Sequence, residues 1–93
     1  QMIFQMTSSR ELTVQLAKGL HLVPCSRIVA LSGNYNGEVR IRWNDVLADA
    51  KSIFDLMTLA APQGSVLLVE ATGDDADVFL DEMEQLFAHD FEV

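Results

Sequence analysis

A histidine three residues before a proline carries the clearest potential chemistry of this sequence, within the run GLHLVPCS of residues 19–26. Proline lacks a backbone N–H and fixes φ near the helical value, so Pro24 predicts the first turn of a helix. His21 then lies at the helix end whose unpaired N–H groups attract anions. A titratable nitrogen at such an end indicates a histidine that accepts a phosphoryl group and passes it on. The alternative role is a helix cap without chemistry.

Length and composition indicate one small globular domain. The chain has 93 residues, of which 49% are hydrophobic and 22% are charged, a composition typical of a folded protein. No apolar run approaches the roughly 20 residues that span a bilayer, and the opening residues are too few and too uncharged for a secretory signal. The single cysteine, Cys25, excludes an internal disulfide and is compatible with the reducing cytoplasm. We expect a cytoplasmic protein without membrane insertion, in which Cys25 fills the core; a reactive thiolate is the alternative.

The charge balance excludes several classes of function. Six basic and fourteen acidic residues give a net charge of −8, which argues against binding to nucleic acid or to an anionic membrane. Much of the acid lies in residues 74–92, where a solvated helix face is the expected explanation and a basic partner the alternative. Two separated histidines and one cysteine form no recognisable metal set, and no glycine-rich nucleotide loop is present. We therefore expect neither a metal nor a cofactor.

Alternating polar and apolar residues predict four strands, and apolar residues at helical spacing predict three helices. The predicted strands span residues 11–16, 38–43, 46–48 and 65–70, and the predicted helices span residues 22–32, 53–59 and 74–88. Alternation favours an antiparallel sheet with one covered face and one wet face. The expected fold class is therefore α+β, an open-faced sandwich of order βαββαβα with three helices on one face of a four-stranded antiparallel sheet.

Two motifs at a fixed separation resemble the HPr family, the histidine phosphocarriers of the sugar phosphotransferase system. The first is Gly19-Leu20-His21 with its following proline, and the second is the run DAKSIFDLMTL of residues 49–59. Ser52 follows His21 by 31 residues, which matches the family's spacing between its phosphoacceptor histidine and its regulatory serine. The resemblance extends from about Glu11 to the C-terminus. It implies an HPr-like domain over residues 9–93 and leaves residues 1–8 as an extension, which we expect to be partly disordered.

The resemblance implies a relay centred on His21. Such a histidine takes a phosphoryl group from phosphorylated enzyme I and passes it to sugar-specific phosphotransferase proteins. The N–H groups of Leu22 and Val23 are the expected phosphate donors here. Val23 stands where the family usually carries an arginine. A valine cannot replace the charged guanidinium group and its paired N–H donors.

Three other basic side chains are candidates to substitute for that arginine. Arg27 lies six residues beyond His21, about 9 Å along the axis and some 240° around it, which argues against it. Lys18 and Lys51 remain as candidates that could approach from loops.

The second motif implies regulation and docking. Ser52 suits a helix N-cap, and by resemblance it is also a candidate for phosphorylation by an HPr kinase/phosphorylase, because phosphate is tolerated at a helix N-terminus. Ile53, Phe54 and Met57 are the expected partner-binding residues, some of which must also pack inward. The alternative function is an HPr-like regulatory binding module without efficient relay, acting through Ser52 or through protein contacts.

Overall fold

The computed structural model describes residues 6–92 and shows the predicted order of elements. The strands are β1 (Thr7–Thr13), β2 (Val39–Trp43), β3 (Val46–Asp49) and β4 (Val66–Thr72). The helices are α1 (Leu22–Gly33), α2 (Ile53–Leu59) and α3 (Ala76–Ala88).

The four strands form one antiparallel sheet in the order β1-β4-β2-β3. The hairpin between β2 and β3 turns at the dipeptide Asn44-Asp45. Asn44 adopts a positive φ of 53°, a conformation that asparagine tolerates better than most residues. The predicted sandwich, with three helices on a four-stranded antiparallel sheet, is confirmed.

One face of the sheet lies beneath the helices and the other remains open. Ile41 of β2 and Val69 of β4 are neighbours in the ladder and are buried, whereas Arg40 and Arg42 of β2 are exposed. Full burial of a large aliphatic side chain contributes about 1.5–3 kcal/mol, so this face supplies much of the folding free energy. From the helices, the buried layer receives Ile28, Leu56, Leu59, Phe79, Leu80 and Met83.

The predicted span of the first strand is wrong, because β1 begins at Thr7 and ends at Thr13. Beyond the strand, Val14 is still fully buried, and its N–H donates to the Ser65 carbonyl at 2.9 Å. The apolar alternation thus continues past the last ladder pair and shifts the predicted strand toward the C-terminus. The structure also begins α3 at Ala76 rather than at residue 74, since Asp75 is its N-cap.

The start of β1 overlaps the extension expected from the sequence. Thr7 pairs with Thr72 and Ser8 with Ala71, so these two residues belong to the sheet. Residues 1–5 of the expected extension lie outside the described residues.

Candidate functional site

The turn that carries His21 is fixed against the end of α2. Gly19 has φ +68°, and a Cβ atom there would lie 2.5 Å from the Ala61 carbonyl oxygen. The N–H of Leu20 donates to that same oxygen at 2.9 Å. The carbonyl is available because α2 ends at Leu59 and its C-cap residue, Ala60, adopts the left-handed conformation with φ 50°. No sequence pattern indicates this role for the two alanines, because a positive φ is uncommon outside glycine, asparagine and aspartate.

His21 is the N-cap residue of α1 through its backbone, but its ring does not cap the helix. Its dihedral angles are extended, with φ −91° and ψ −169°. Its carbonyl oxygen accepts the N–H of Cys25 at 3.2 Å, which closes the first turn. The side chain is half-buried and makes no capping hydrogen bond. The ring is therefore available to a reactant at the helix end.

Two N–H groups remain available beside the ring. Those of Leu22 and Val23 precede the first intrahelical bond and have no backbone acceptor among residues 6–92. Pro24 has no N–H to offer, and no acidic side chain stands in the first turn of α1. The open helix end can thus donate two hydrogen bonds to an anion.

Large apolar side chains are exposed on the first turn of α1 and on α2. Leu22 is 58% exposed, Val23 53%, Phe54 83% and Met57 41%, and α1 and α2 pack against each other. We call these four residues the apolar patch. Ile53, the other residue predicted to dock partners, is half-buried and packs against the core. Exposed apolar groups of this size are typical of a surface that binds protein.

The N-terminus of α2 is closed by its own side chains. Ser52 Oγ accepts the N–H of Asp55 at 3.3 Å, which confirms the predicted serine cap. The Asp55 carboxylate accepts the N–H of Asp49 at 3.1 Å, and the Asp49 carboxylate accepts the N–H of Lys51 at 2.9 Å. Two carboxylates therefore lie next to the serine.

The loop lysine that follows β3 is held away from His21. Lys51 Nζ donates to the Tyr35 carbonyl at 2.6 Å, just beyond the C-terminal end of α1. A helix of 12 residues is about 18 Å long, so Lys51 lies at the opposite end of α1 from the histidine. Lys18 is exposed in the turn that precedes Gly19.

Cys25 fills the core beneath the first turn of α1. It is fully buried, and its Sγ lies 3.8 Å from the Leu20 carbonyl oxygen. Burial raises the pKa of the Cys25 thiol. Because the thiolate is the nucleophilic form, this environment opposes a reactive role and confirms the expected core position.

The described part of the chain contains no group of three or more His, Cys, Asp or Glu side chains placed to hold a metal ion. Across residues 6–92, no helix is both long enough and apolar enough to cross a bilayer.

A small open-faced sandwich that presents a single histidine at an open helix end has the architecture of a phosphoryl-carrier domain. The family described as the PTS HPr component phosphorylation site matches residues 8–89. The chain belongs to this family, the HPr phosphocarriers of the sugar phosphotransferase system.

Individual relatives match this chain over most of their own length. The phosphocarrier protein HPr of Cupriavidus necator is 34% identical over 82 residues, which cover 88% of this chain and 92% of that protein. HPr of Borreliella burgdorferi is 31% identical over 77 residues, covering 83% and 90%. The crystal structure of HPr-C-His from Thermoanaerobacter tengcongensis is similar in fold, with a TM-score of 0.85, 24% identity and coverage of 92% and 99%. The chain is thus a phosphocarrier of the phosphotransferase system.

Proposed function

We propose that His21 is the residue that carries the phosphoryl group. The observation that supports this assignment is a ring without a capping bond beside the two open N–H groups of Leu22 and Val23. Histidine has an ordinary pKa near neutrality, so its nucleophilic neutral form is abundant in the cell. These residues combine a nucleophile with donors for the phosphate oxygens.

In the proposed relay, the lone pair of the unprotonated His21 ring nitrogen attacks phosphorus on enzyme I. The bond to the donor breaks, and the leaving group keeps the electron pair of that bond. The N–H groups of Leu22 and Val23 hold the phosphate oxygens, and the helix end adds about 0.3–1 kcal/mol of favourable electrostatics. Transfer to a sugar-specific protein repeats the step with the nucleophile on the acceptor.

Phosphorylation from phosphoenolpyruvate, with enzyme I of the same organism, tests the assignment. We expect an acid-labile phosphate on the wild type and its complete loss in His21→Ala. His89→Ala is the matched control, because His89 is the other histidine and its Nδ1 lies 2.8 Å from the Gln85 carbonyl oxygen at the end of α3. A label that persists in His21→Ala, or a wild type that takes no label, would overturn the assignment.

We further propose that the apolar patch is the surface on which enzyme I and the sugar-specific proteins dock. Phe54→Ser removes its most exposed side chain and should raise the KM for phosphorylated enzyme I about tenfold, since a well-packed aromatic contact contributes 1 kcal/mol or more. Val78→Ser is the matched control, because Val78 is 61% exposed on α3. Equal effects of the two substitutions would contradict docking at the patch. Exchange with these proteins supports the cytoplasmic location that we propose for the carrier.

A regulatory module that acts through Ser52 is the alternative function. It predicts that an HPr kinase/phosphorylase modifies Ser52 while His21 takes no phosphate. The hydroxyl already accepts the Asp55 N–H, and a phosphate there would stand beside the Asp55 and Asp49 carboxylates. Like charges at this range oppose the modification, so the surroundings of Ser52 favour its role as a helix cap.

A further inference from the structure

A phosphoryl group on His21 needs more positive charge than its own surroundings provide. A phosphorylated side chain carries about two negative charges at neutral pH and three strong acceptor oxygens. The open helix end offers the N–H groups of Leu22 and Val23, because Pro24 has none and that of Cys25 is bonded to the His21 carbonyl. Both amides are neutral donors.

Four of the six basic side chains are committed elsewhere. Arg10 binds Asp81 and Glu84 on α3, and Lys51 is bound at the far end of α1. Arg40 and Arg42 complete the four, and they stand on β2 in positions that alternate with the buried residues of that strand. They therefore face the uncovered side of the sheet, away from the helices.

The two remaining basic residues are near in sequence but badly placed. Arg27 begins about 9 Å along the helix axis from His21. Lys18 is exposed and stands on the other side of Gly19, whose left-handed conformation reverses the chain. Neither offers a fixed pair of donors at the open helix end.

The residues next to the phosphate make this deficit larger in a complex. Leu22 and Val23 are apolar and more than half exposed, so a protein that docks on the apolar patch covers the phosphate as well. Removing water from a charged group is unfavourable unless an opposite charge replaces it. The docked state therefore requires a cation that this chain does not supply.

The geometry points to a cation supplied by the partner: the phosphoryl-donating protein that docks on the apolar patch places an arginine or lysine against the phosphate on His21. This inference rests on the proposed function of His21 and adds the chemistry of the docking partner. The net charge of −8 suits a partner surface that is basic around the transfer point.

A comparison of two phosphoryl donors tests the inference. Phosphoramidate brings no protein cation: its P–N bond breaks, ammonia leaves with the electron pair, and phosphorus bonds to the ring nitrogen of His21. Phosphorylated enzyme I of the same organism is the second donor. Val23→Arg installs a guanidinium at an exposed first-turn position, and Val23→Gln is the matched uncharged control. His89 provides an internal reference for intrinsic histidine reactivity, with sites separated by peptide mapping at alkaline pH.

With phosphoramidate, we expect Val23→Arg to accelerate His21 phosphorylation about tenfold or more, because a charge-assisted hydrogen bond to phosphate is gained. This gain is measured against Val23→Gln, which keeps the backbone N–H of residue 23 and adds no charge, and the rate at His89 should be equal in the two variants. With enzyme I, Val23→Arg should be no faster than Val23→Gln, since both variants lose the same apolar side chain from the patch and the partner already provides the cation. The double substitution Lys18→Gln/Arg27→Gln should leave the enzyme I rate within about twofold of the wild type, since neither side chain is the phosphate ligand.

Two results overturn the inference while leaving the carrier function intact. One is an equal gain for Val23→Arg with both donors, which shows that the partner brings no cation. The other is a tenfold or greater loss of the enzyme I rate in the double variant, which assigns the cation to this chain. A wild type that accepts phosphate from phosphoramidate but not from enzyme I overturns the proposed function together with the inference.

Discussion

Two helix N-termini of this molecule, those of α1 and α2, follow residues that bear possible phosphate acceptors, and they differ in what already occupies them. At α1, the His21 ring makes no capping bond and the first turn has no acidic side chain. At α2, Ser52 Oγ accepts the Asp55 N–H, and Asp55 stands in the first turn. The first end is open to an anion and the second is filled by the chain's own oxygens.

A helix N-terminus can bind an external anion only where the chain leaves its N–H donors unused. A capping serine lowers the free energy of the fold by satisfying one N–H group. The cost is the loss of that N–H for a ligand. On the function proposed for His21, the chain uses one helix end for stability and keeps the other for exchange of a phosphoryl group.

The largest effect is expected where the two helices meet, at the turn before His21. Gly19→Ala places a Cβ 2.5 Å from the Ala61 carbonyl oxygen in a left-handed backbone with φ +68°. We expect a loss of more than about 2 kcal/mol in the free energy of unfolding. His21 phosphorylation should slow as well, since the turn must shift. Urea denaturation and the phosphorylation assay with enzyme I measure the two effects.

Gly64→Ala is the control for backbone strain alone. Gly64 also has a positive φ, +91°, but a Cβ there meets no atom within 4 Å. It should lose only the strain, about 1–2 kcal/mol, and its phosphorylation rate should remain that of the wild type. Equal losses for both variants would show that contact with α2 does not fix the turn.

The fold was predictable because its signals are local. The alternation of residues 38–43 predicts β2 with Val39 and Ile41 inward, and both are buried. Pro24 and Ser52 mark the starts of α1 and α2, which begin at Leu22 and Ile53. The start of β1 was not predictable from alternation alone, because pairing with β4 determines which residues enter the ladder.

The site was predictable in its residue types but not in its supporting contacts. A histidine before a proline indicates an open helix end from chain chemistry alone. The anchoring of that turn by Ala61 depends on the left-handed conformation of Ala60, and alanine carries no signal for it. The position of Lys51 likewise follows from a carbonyl oxygen of Tyr35, a tertiary contact between residues far apart in sequence.

A smaller effect is expected from opening the closed helix end. Ser52→Ala removes the acceptor of the Asp55 N–H and should lower the free energy of unfolding by about 1 kcal/mol. Ser52→Asn keeps a neutral acceptor and should remain near the wild type. Ser52→Asp should be less stable than Ser52→Asn, because its charge stands beside the Asp55 and Asp49 carboxylates. Urea denaturation of the three variants gives the order.

The phosphorylation rate of His21 should not change in Ser52→Ala, since the open end of α1 does not use this cap. An aspartate variant as stable as the asparagine variant would show that the helix dipole outweighs the two carboxylates. That result would support Ser52 as a site of regulatory phosphorylation.

The smallest expected effect at neutral pH is on the free energy of unfolding, and it comes from the buried Cys25 thiol beneath the first turn of α1. Burial raises the pKa of Cys25 above its ordinary value of 9.0. Above that pH the unfolded chain loses a proton that the native protein keeps, so the free energy of unfolding falls as pH rises and is constant below it. Burial and the nearby Asp75 and Asp74 raise the pKa of Tyr35 from 10.0 in the same direction, at higher pH.

Cys25→Ala separates the two groups. Its free energy of unfolding should be independent of pH between 9.0 and 10.0, where the wild type already declines, and both proteins should decline once the ordinary pKa of Tyr35 is passed. Urea denaturation across this range makes the measurement. A decline of equal slope in Cys25→Ala would mean that the thiol titrates alike in both states and that water reaches it in the native protein. The Cys25 N–H closes the first turn of α1 on the His21 carbonyl oxygen. Access of water to the thiol would therefore indicate that this first turn opens in the native protein.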